Sequence, residues 1–266
     1  RWSGAGGLER GGTEIRGAGE VLLWMLQRSG ARWDAGRTEA ARDLLDTYRI
    51  DTVIVADPKE RIRALGWIRE HLLPILPVTL RTGPEGLYPV VWRWDATAGD
   101  EIASIDADAD RAARESAVEY TSRADVRNSL SLRYRWAANR ETHARRSGIT
   151  GDLDELAQDS AFREQLWCRH SFLRYGRRSL EATSDVIAED GTAQAILTWW
   201  ARRYALPARR CQWSISLDLA YMEPGSVVEV RDTEIGMASV IGLVEAVRWR
   251  RRDAVVSVIV LDRPEG

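Results

Sequence analysis

Residues 222–250 read MEPGSVVEVRDTEIGMASVIGLVEAVRWR, with no His, no Cys and no Ser beside a base. The punctuation is that of a β unit. Pro fixes one backbone angle and Gly accepts a positive one, so Glu223-Pro224-Gly225 predicts a type II turn feeding the strand that follows, "VVEV". "RDTEIGMAS" is a connection. The continuation "VIGLVEAVRWRRRDAVVSVIVLD" predicts two long strands joined at the basic, turn-like Arg250-Arg251-Arg252-Asp253. Three antiparallel strands of this kind make half of a small barrel. The segment specifies a shape and offers no chemistry.

Strict alternation marks further strands upstream. "NSLSLRYRW" sets Leu130, Leu132, Tyr134 and Trp136 on one face against Ser129, Ser131, Arg133 and Arg135. "CQWSISLDL" sets Cys211, Trp213, Ile215, Leu217 and Leu219 against Gln212, Ser214, Ser216 and Asp218. Period two with one apolar face predicts half-buried antiparallel strands. "LYPVVWRWD" adds a strand introduced by the turn "GPEG", and "YRIDTVIVAD" another.

Helical period appears between the strands. Ala18–Ser29 carries Val21, Leu22, Met25 and Leu26 on one face, with Gly30 at its end. Asp57, Pro58 and Glu60 read as a capping start for a helix burying Ile62, Leu65, Ile68 and Leu72 and stopped by Pro74. Asp152 and Glu155 cap a helix through Leu156, Phe162 and Leu166. "TAQAILTWWARRYALP" stacks Ala193, Ile196, Trp200 and Tyr204 on one stripe before Pro207, with Arg202 and Arg203 facing outward. Alternating β and α blocks without regular βαβ spacing predict an α+β fold, with antiparallel strands forming small barrel-like β domains and helices interspersed. The expected organisation is a flexible or truncated edge at 1–19, an α+β domain at 20–150, a helical section at 151–207 and a C-terminal β-barrel half at 208–266.

Composition narrows the function classes. The chain has 266 residues, 44% hydrophobic and 29% charged, as an ordinary globular protein has. Apolar runs such as Ala254–Val260 are too short to span a bilayer as a helix. A net charge of −2 argues against a dedicated nucleic-acid binder, while leaving room for a local basic patch. Cys168 and Cys211 are too few for a disulfide framework or zinc site and read as reduced, packed thiols.

Motifs for catalysis or ligand binding do not assemble. "GAGGLERGG" at 4–12 lacks the G-x-G-x-x-G spacing and reads as a flexible segment. Asp106, Asp108 and Asp110 begin like a calcium loop, but Arg111 stands where the loop needs Gly and Ala117 where it needs Glu. His71, His143 and His170 have no metal-ligand spacing, and Cys168 and His170, two apart on a helix, point different ways. Trp199, Trp200, Arg202, Arg203 and Tyr204 have the composition of a base-stacking platform, yet their helical spacing reads as core. No catalytic, cofactor-binding or metal residue is assigned, and no enzyme activity is expected.

The order of parts in the C-terminal half is informative. "YGRR" at Tyr175–Arg178 precedes an A-x-x-I-x-x-W helix at Ala193–Trp199, an "ALP" exit at Ala205–Pro207, a long strand, the Pro-Gly signal of Met222–Val230 and the "GLVEAV" strand at Gly242–Val247. In this order residues 170–262 resemble the C-terminal half of baseplate or tail hub proteins of tailed phages, Mu-like prophages and gene transfer agents. The resemblance implies a structural virion component, assembled in the host cytoplasm, that joins tail tube to spike around a DNA-conducting lumen. It further implies a homotrimer whose partners are a tail tube or distal tail protein and a spike or fibre, with transient DNA passage and no membrane span. Strand signal is sparse before residue 47, so the N-terminal β-rich domain of that family is expected to be absent or to lie on another segment. An enzyme of unrecognised type and a soluble nucleic-acid-binding module are the alternatives.

Overall fold

The computed structural model describes residues 15–50, 63–109, 113–137, 140–152, 163–219 and 221–261. They form five helices: α1 (Ala18–Arg28), α2 (Ala35–Leu45), α3 (Ala64–Trp67), which widens into a π turn at Ile68–Leu72, α4 (Arg163–Tyr175) and α5 (Asp190–Tyr204). The strands are β1 (Val78–Gly83), β2 (Gly86–Val91), β3 (Ala103–Asp106), β4 (Ala113–Tyr120), β5 (Ser129–Ala137), β6 (Thr142–Thr150), β7 (Ser179–Thr183), β8 (Arg209–Ile215), β9 (Val227–Asp232), β10 (Met237–Trp249) and β11 (Ala254–Val260). The α+β class is that read from the sequence. The chain divides into two compact units, each assembled from three separated segments: 1–91, 130–149 and 179–198 in one, 92–129, 150–178 and 199–266 in the other.

In the first unit α1 buries Leu22, Met25 and Leu26, which join Leu45, Ile68, Leu72, Ile75 and Leu76 among its most buried side chains. Helices α1 and α2 approach so closely at Gly19 that a Cβ there would overlap the Arg42 backbone. The start of α1 has no side-chain cap of its own. Instead the Asp46 carboxylate, just past α2, accepts the Glu20 backbone N–H, which satisfies one of the orphan donors of a helix N-terminus. Hairpin β1–β2 pairs Gly83 with Gly86 around the expected turn, and the Arg37 guanidinium of α2 lies 4.4 Å over the Tyr88 ring. A three-stranded sheet of order β6-β5-β7 completes the unit.

Alternation in β5 holds for Leu130, Leu132 and Tyr134, which are 2%, 0% and 2% exposed. Trp136 departs from the expected buried face at 43% exposure. The cause is Arg135, whose φ of 58° breaks the extended run and turns the next side chain out. The Arg135 guanidinium donates twice to the Ala188 carbonyl, at 2.8 and 3.1 Å, which holds this unusual backbone in place.

The second unit is built on a six-stranded sheet of order β3-β9-β10-β11-β8-β4, antiparallel except where β3 runs parallel to β9. Pleating sends alternate residues to opposite faces. Cys211, Trp213, Ile215, Val228, Val230, Val244, Val256 and Val258 form one core, and Trp94, Ala208, Val227, Leu243 and Ile259 the other. Pairing among the described residues ends at β3 on one side and β4 on the other, so the sheet is open where a barrel half was expected. Strand β8 also ends early: Leu217–Leu219 is a 3-10 turn with Leu217 44% exposed, because the chain leaves the sheet after Ile215 pairs with Ala254.

The C-terminal reading is matched at its turn and in its order of strands, while the connection read at 231–239 is shorter, because β9 runs to Asp232 and β10 begins at Met237. Ser226 N–H donates to the Glu223 carbonyl at 2.9 Å and Gly225 has φ 90°, the type II turn that Pro-Gly predicts. Strand β9 follows, then a short turn, then β10 and β11 joined at residues 250–253. The "YRIDTVIVAD" strand beyond Ile50, the capping start at Asp57–Glu60, and Glu155, Leu156 and Phe162 lie outside the described residues.

Candidate functional site

The residues singled out in the sequence are used mainly for support. Cys168 on α4 and Cys211 on β8 are both free and buried. Burial pushes the Cys168 thiol up to about 12, helped by the Glu164 carboxylate, and the Cys211 thiol up to about 11. Such thiols are inert. Asp106 accepts the backbone N–H groups of Asp108 and Ala109 at 3.1 and 3.2 Å, and Asp108 accepts the Thr233 hydroxyl at 2.8 Å. The acidic run therefore ties a turn to the end of β9, and Asp110 lies outside the described residues. Among the described residues no three His, Cys, Asp or Glu side chains cluster as a metal site needs.

His143 hydrogen-bonds Asp185 at 2.7 Å and sits edge-on to Trp136 with ring centroids 5.0 Å apart. His71 stands against Trp67 at 5.0 Å, and His170 is exposed on α4. Among the described residues none of the three is paired with a Ser or Cys nucleophile.

The Trp/Arg cluster of α5 departs from the sequence reading at its arginines. Ala193, Ile196 and Trp200 are buried as expected, whereas Arg202 and Arg203, expected to face outward, are partly buried. Arg202 Nε donates to Glu164 Oε1 at 2.8 Å, and Glu164 is only 8% exposed. The Arg203 guanidinium lies 4.7 Å over the Trp94 ring and is held below its ordinary pKa by burial. Guanidinium groups tolerate such sites because their charge is delocalised and weakly hydrated. Partners 38 and 109 residues away in sequence cannot be read from helical spacing.

Surfaces suited to assembly are more conspicuous. Strand β4 is an eight-residue edge with Val118 and Tyr120 at 40% and 67% exposure. Its outer backbone groups lack a strand neighbour among the described residues, the arrangement that invites pairing with another chain. Helix α4 buries Glu164, Cys168 and Ser171 and exposes Leu166 and Leu173 at 49% and 67%. Leu166 was expected on the buried face. The polar partner Arg202 draws the Glu164 side inward instead. At the sheet's end, the β10–β11 hairpin projects the exposed run Arg248–Arg252.

Comparison with known proteins converges on the span read from the sequence. A family model described as "Putative phage tail protein" matches residues 170–247, from within α4 to within β10. A chain of a native gene transfer agent virion particle superimposes on 94% of this chain with TM-score 0.56 and 13% identity, covering 49% of its own length. A tail protein from Neisseria meningitidis MC58 matches 78% of this chain and 56% of its own at TM-score 0.39 and 12% identity. The 43 kDa tail protein of prophage MuSo2 from Shewanella oneidensis matches 70% and 50% at TM-score 0.37 and 13% identity. No curated protein sequence matches. The virion-particle chain shares this fold; the two weaker superpositions carry no argument. This chain spans about half the length of these solved chains. The resemblance to tail proteins drawn from the order of parts is thus met independently, over nearly the same residues.

Proposed function

We propose that the chain is a structural component of a phage tail or tail-like particle, located in the virion tail. More specifically, we read it as the baseplate or tail hub that joins tube to spike around a lumen that conducts DNA. The observation that carries this reading is the coincidence of two independent likenesses: the phage tail family match at residues 170–247 and the fold shared with a virion-particle chain over 94% of the molecule.

The open sheet supports self-association. An edge such as β4, with exposed Val118 and Tyr120, is stabilised when a neighbouring copy covers it, and a closed ring leaves no copy's contact unmet. The expected assembly is a homotrimer, with tail tube or distal tail protein on one side and spike or fibre on the other. Holding such a ring requires roughly 1,200–2,000 Å² of buried interface or more. Light scattering across protein and salt concentrations measures the mass, and imaging of a purified particle counts copies. Three-fold order supports the hub. A copy that stays monomeric in the native particle removes it.

A further inference from the structure

The tip of the β10–β11 hairpin stands apart from the surfaces above. Its last strand pair joins Trp249 to Ala254, so Arg250–Asp253 turn beyond the sheet. Arg248, Trp249, Arg250, Arg251 and Arg252 are all exposed, Trp249 at 64%. Arg250 reaches Asp253 only at 4.0 Å, and Arg248, Arg251 and Arg252 make no ion pair among the described residues. Elsewhere the chain neutralises its arginines readily: Arg202 with Glu164 at 2.8 Å and Arg210 with Glu245 at 2.6 Å are examples. With a net charge of −2 for the whole chain, a run of unneutralised guanidinium groups is a local concentration that the fold does not need.

We propose that this hairpin tip docks on double-helical DNA, with the guanidinium groups of Arg248, Arg250, Arg251 and Arg252 on backbone phosphates and Trp249 against the sugar edge. Guanidinium forks match phosphate oxygens in geometry and charge. The shape suits the duplex, since the major groove is wide enough to admit a two-stranded β-ribbon between the phosphates of its two walls. Binding a single strand relies on aromatic platforms for successive bases, and the exposed run 248–252 carries one ring, Trp249. A lipid surface is the poorer fit, because one exposed ring is a small apolar anchor. Contacts of this kind are made to the backbone and carry no sequence preference.

Salt dependence measures it. Each phosphate neutralised contributes about 0.9 to the slope of log affinity against log salt, so four give a slope of roughly −3.6 and a loss of roughly 150-fold between 50 and 200 mM. The assay is fluorescence polarisation of a labelled mixed-sequence duplex titrated with the full chain. Arg251→Gln with Arg252→Gln should flatten the slope by about 1.8. Replacing all four arginines should abolish salt-dependent binding. Trp249→Ala should weaken binding and leave the slope in place, and Arg69→Gln, an exposed arginine of the other unit, should change neither. Thermal unfolding checks each variant. If the fourfold variant is unstable, the double variant, confined to the turn outside the sheet, decides. The proposal is overturned by absent duplex binding, by a wild-type slope in the double variant, or by tighter binding at equal salt to single-stranded DNA or to vesicles of anionic phospholipid. Those failures would leave the tail reading standing, because that reading rests on residues 170–247 and the shared fold.

Discussion

Replacing Trp213 by Phe tests whether the core beneath the six-stranded sheet is organised by a polar contact as well as by packing. Trp213 pairs with Val256 in mid-sheet and is 4% exposed. Its indole N–H donates to Asp232 Oδ2 at 2.8 Å, and Asp232 is 0% exposed. The other carboxylate oxygen accepts the Glu234 N–H at 3.2 Å and so caps the turn after β9. Phe keeps most of the apolar ring and removes the donor. Losing a hydrogen bond to a buried charged acceptor costs about 1.5–3 kcal/mol. The smaller ring leaves a void of roughly 40 Å³, worth about 1 kcal/mol. Together these are about 2.5–4 kcal/mol, or roughly 70- to 900-fold in an opening equilibrium. Cys211 reports that opening, because it lies two residues away on the same buried face and its thiol, pushed up to about 11, reacts once β8 detaches. The assay is alkylation of the native chain, with peptide mass separating Cys211 from Cys168. In an Asp232→Ala background the same substitution should cost only the void. A rate change under threefold, or an equal effect in both backgrounds, refutes the reasoning.

Gly225→Val forces a β-branched residue to φ 90° and should destabilise the second unit by about 1–3 kcal/mol, read as a fall in its thermal midpoint; an unchanged midpoint removes the turn assignment. Free-thiol titration should find Cys168 and Cys211 both reduced and slow to react natively, with two thiols released on denaturation; a disulfide between them contradicts the packing. Burial and the nearby Glu20 carboxylate raise the Asp46 pKa above the ordinary carboxylate value, so the folded chain holds that proton more tightly than the unfolded one. Its deprotonation therefore works against the fold fully above the folded pKa and not at all below the unfolded value near 3.9. Asp46→Asn retains an acceptor for the Glu20 N–H and should stabilise the first unit at pH 7, with the gain fading on acidification; urea midpoints across pH 3–7 check the sign.

Much of this architecture is local and therefore legible. The alternation in β5 and β8, the apolar runs of β9 and β11, the period of α1 and the Pro224-Gly225 turn each follow from side-chain direction or backbone freedom within a few residues. The order of those parts by itself resembles that of tail proteins. Strand neighbours were not legible. That β4 pairs with β8 and β3 runs parallel to β9 depends on chain segments about a hundred residues apart, which leave no periodic trace. Arg202 and Arg203 read as outward because they lie off the apolar stripe near a helix C-terminus, where cations are favoured; Glu164 and Trp94, supplied by distant segments, draw them partly inward. Trp136 is exposed because Arg135 takes a left-handed conformation held by the Ala188 carbonyl. Local sequence determined the strongly patterned elements such as α1, α5, β5 and the β9–β11 run, since pleat and helical period act between near neighbours, whereas α2, β3, β4, β6 and β7 carried no pattern strong enough to read. Tertiary structure decided which strands lie at an edge and which charges are neutralised, because those outcomes belong to contacts that form only when the chain closes on itself.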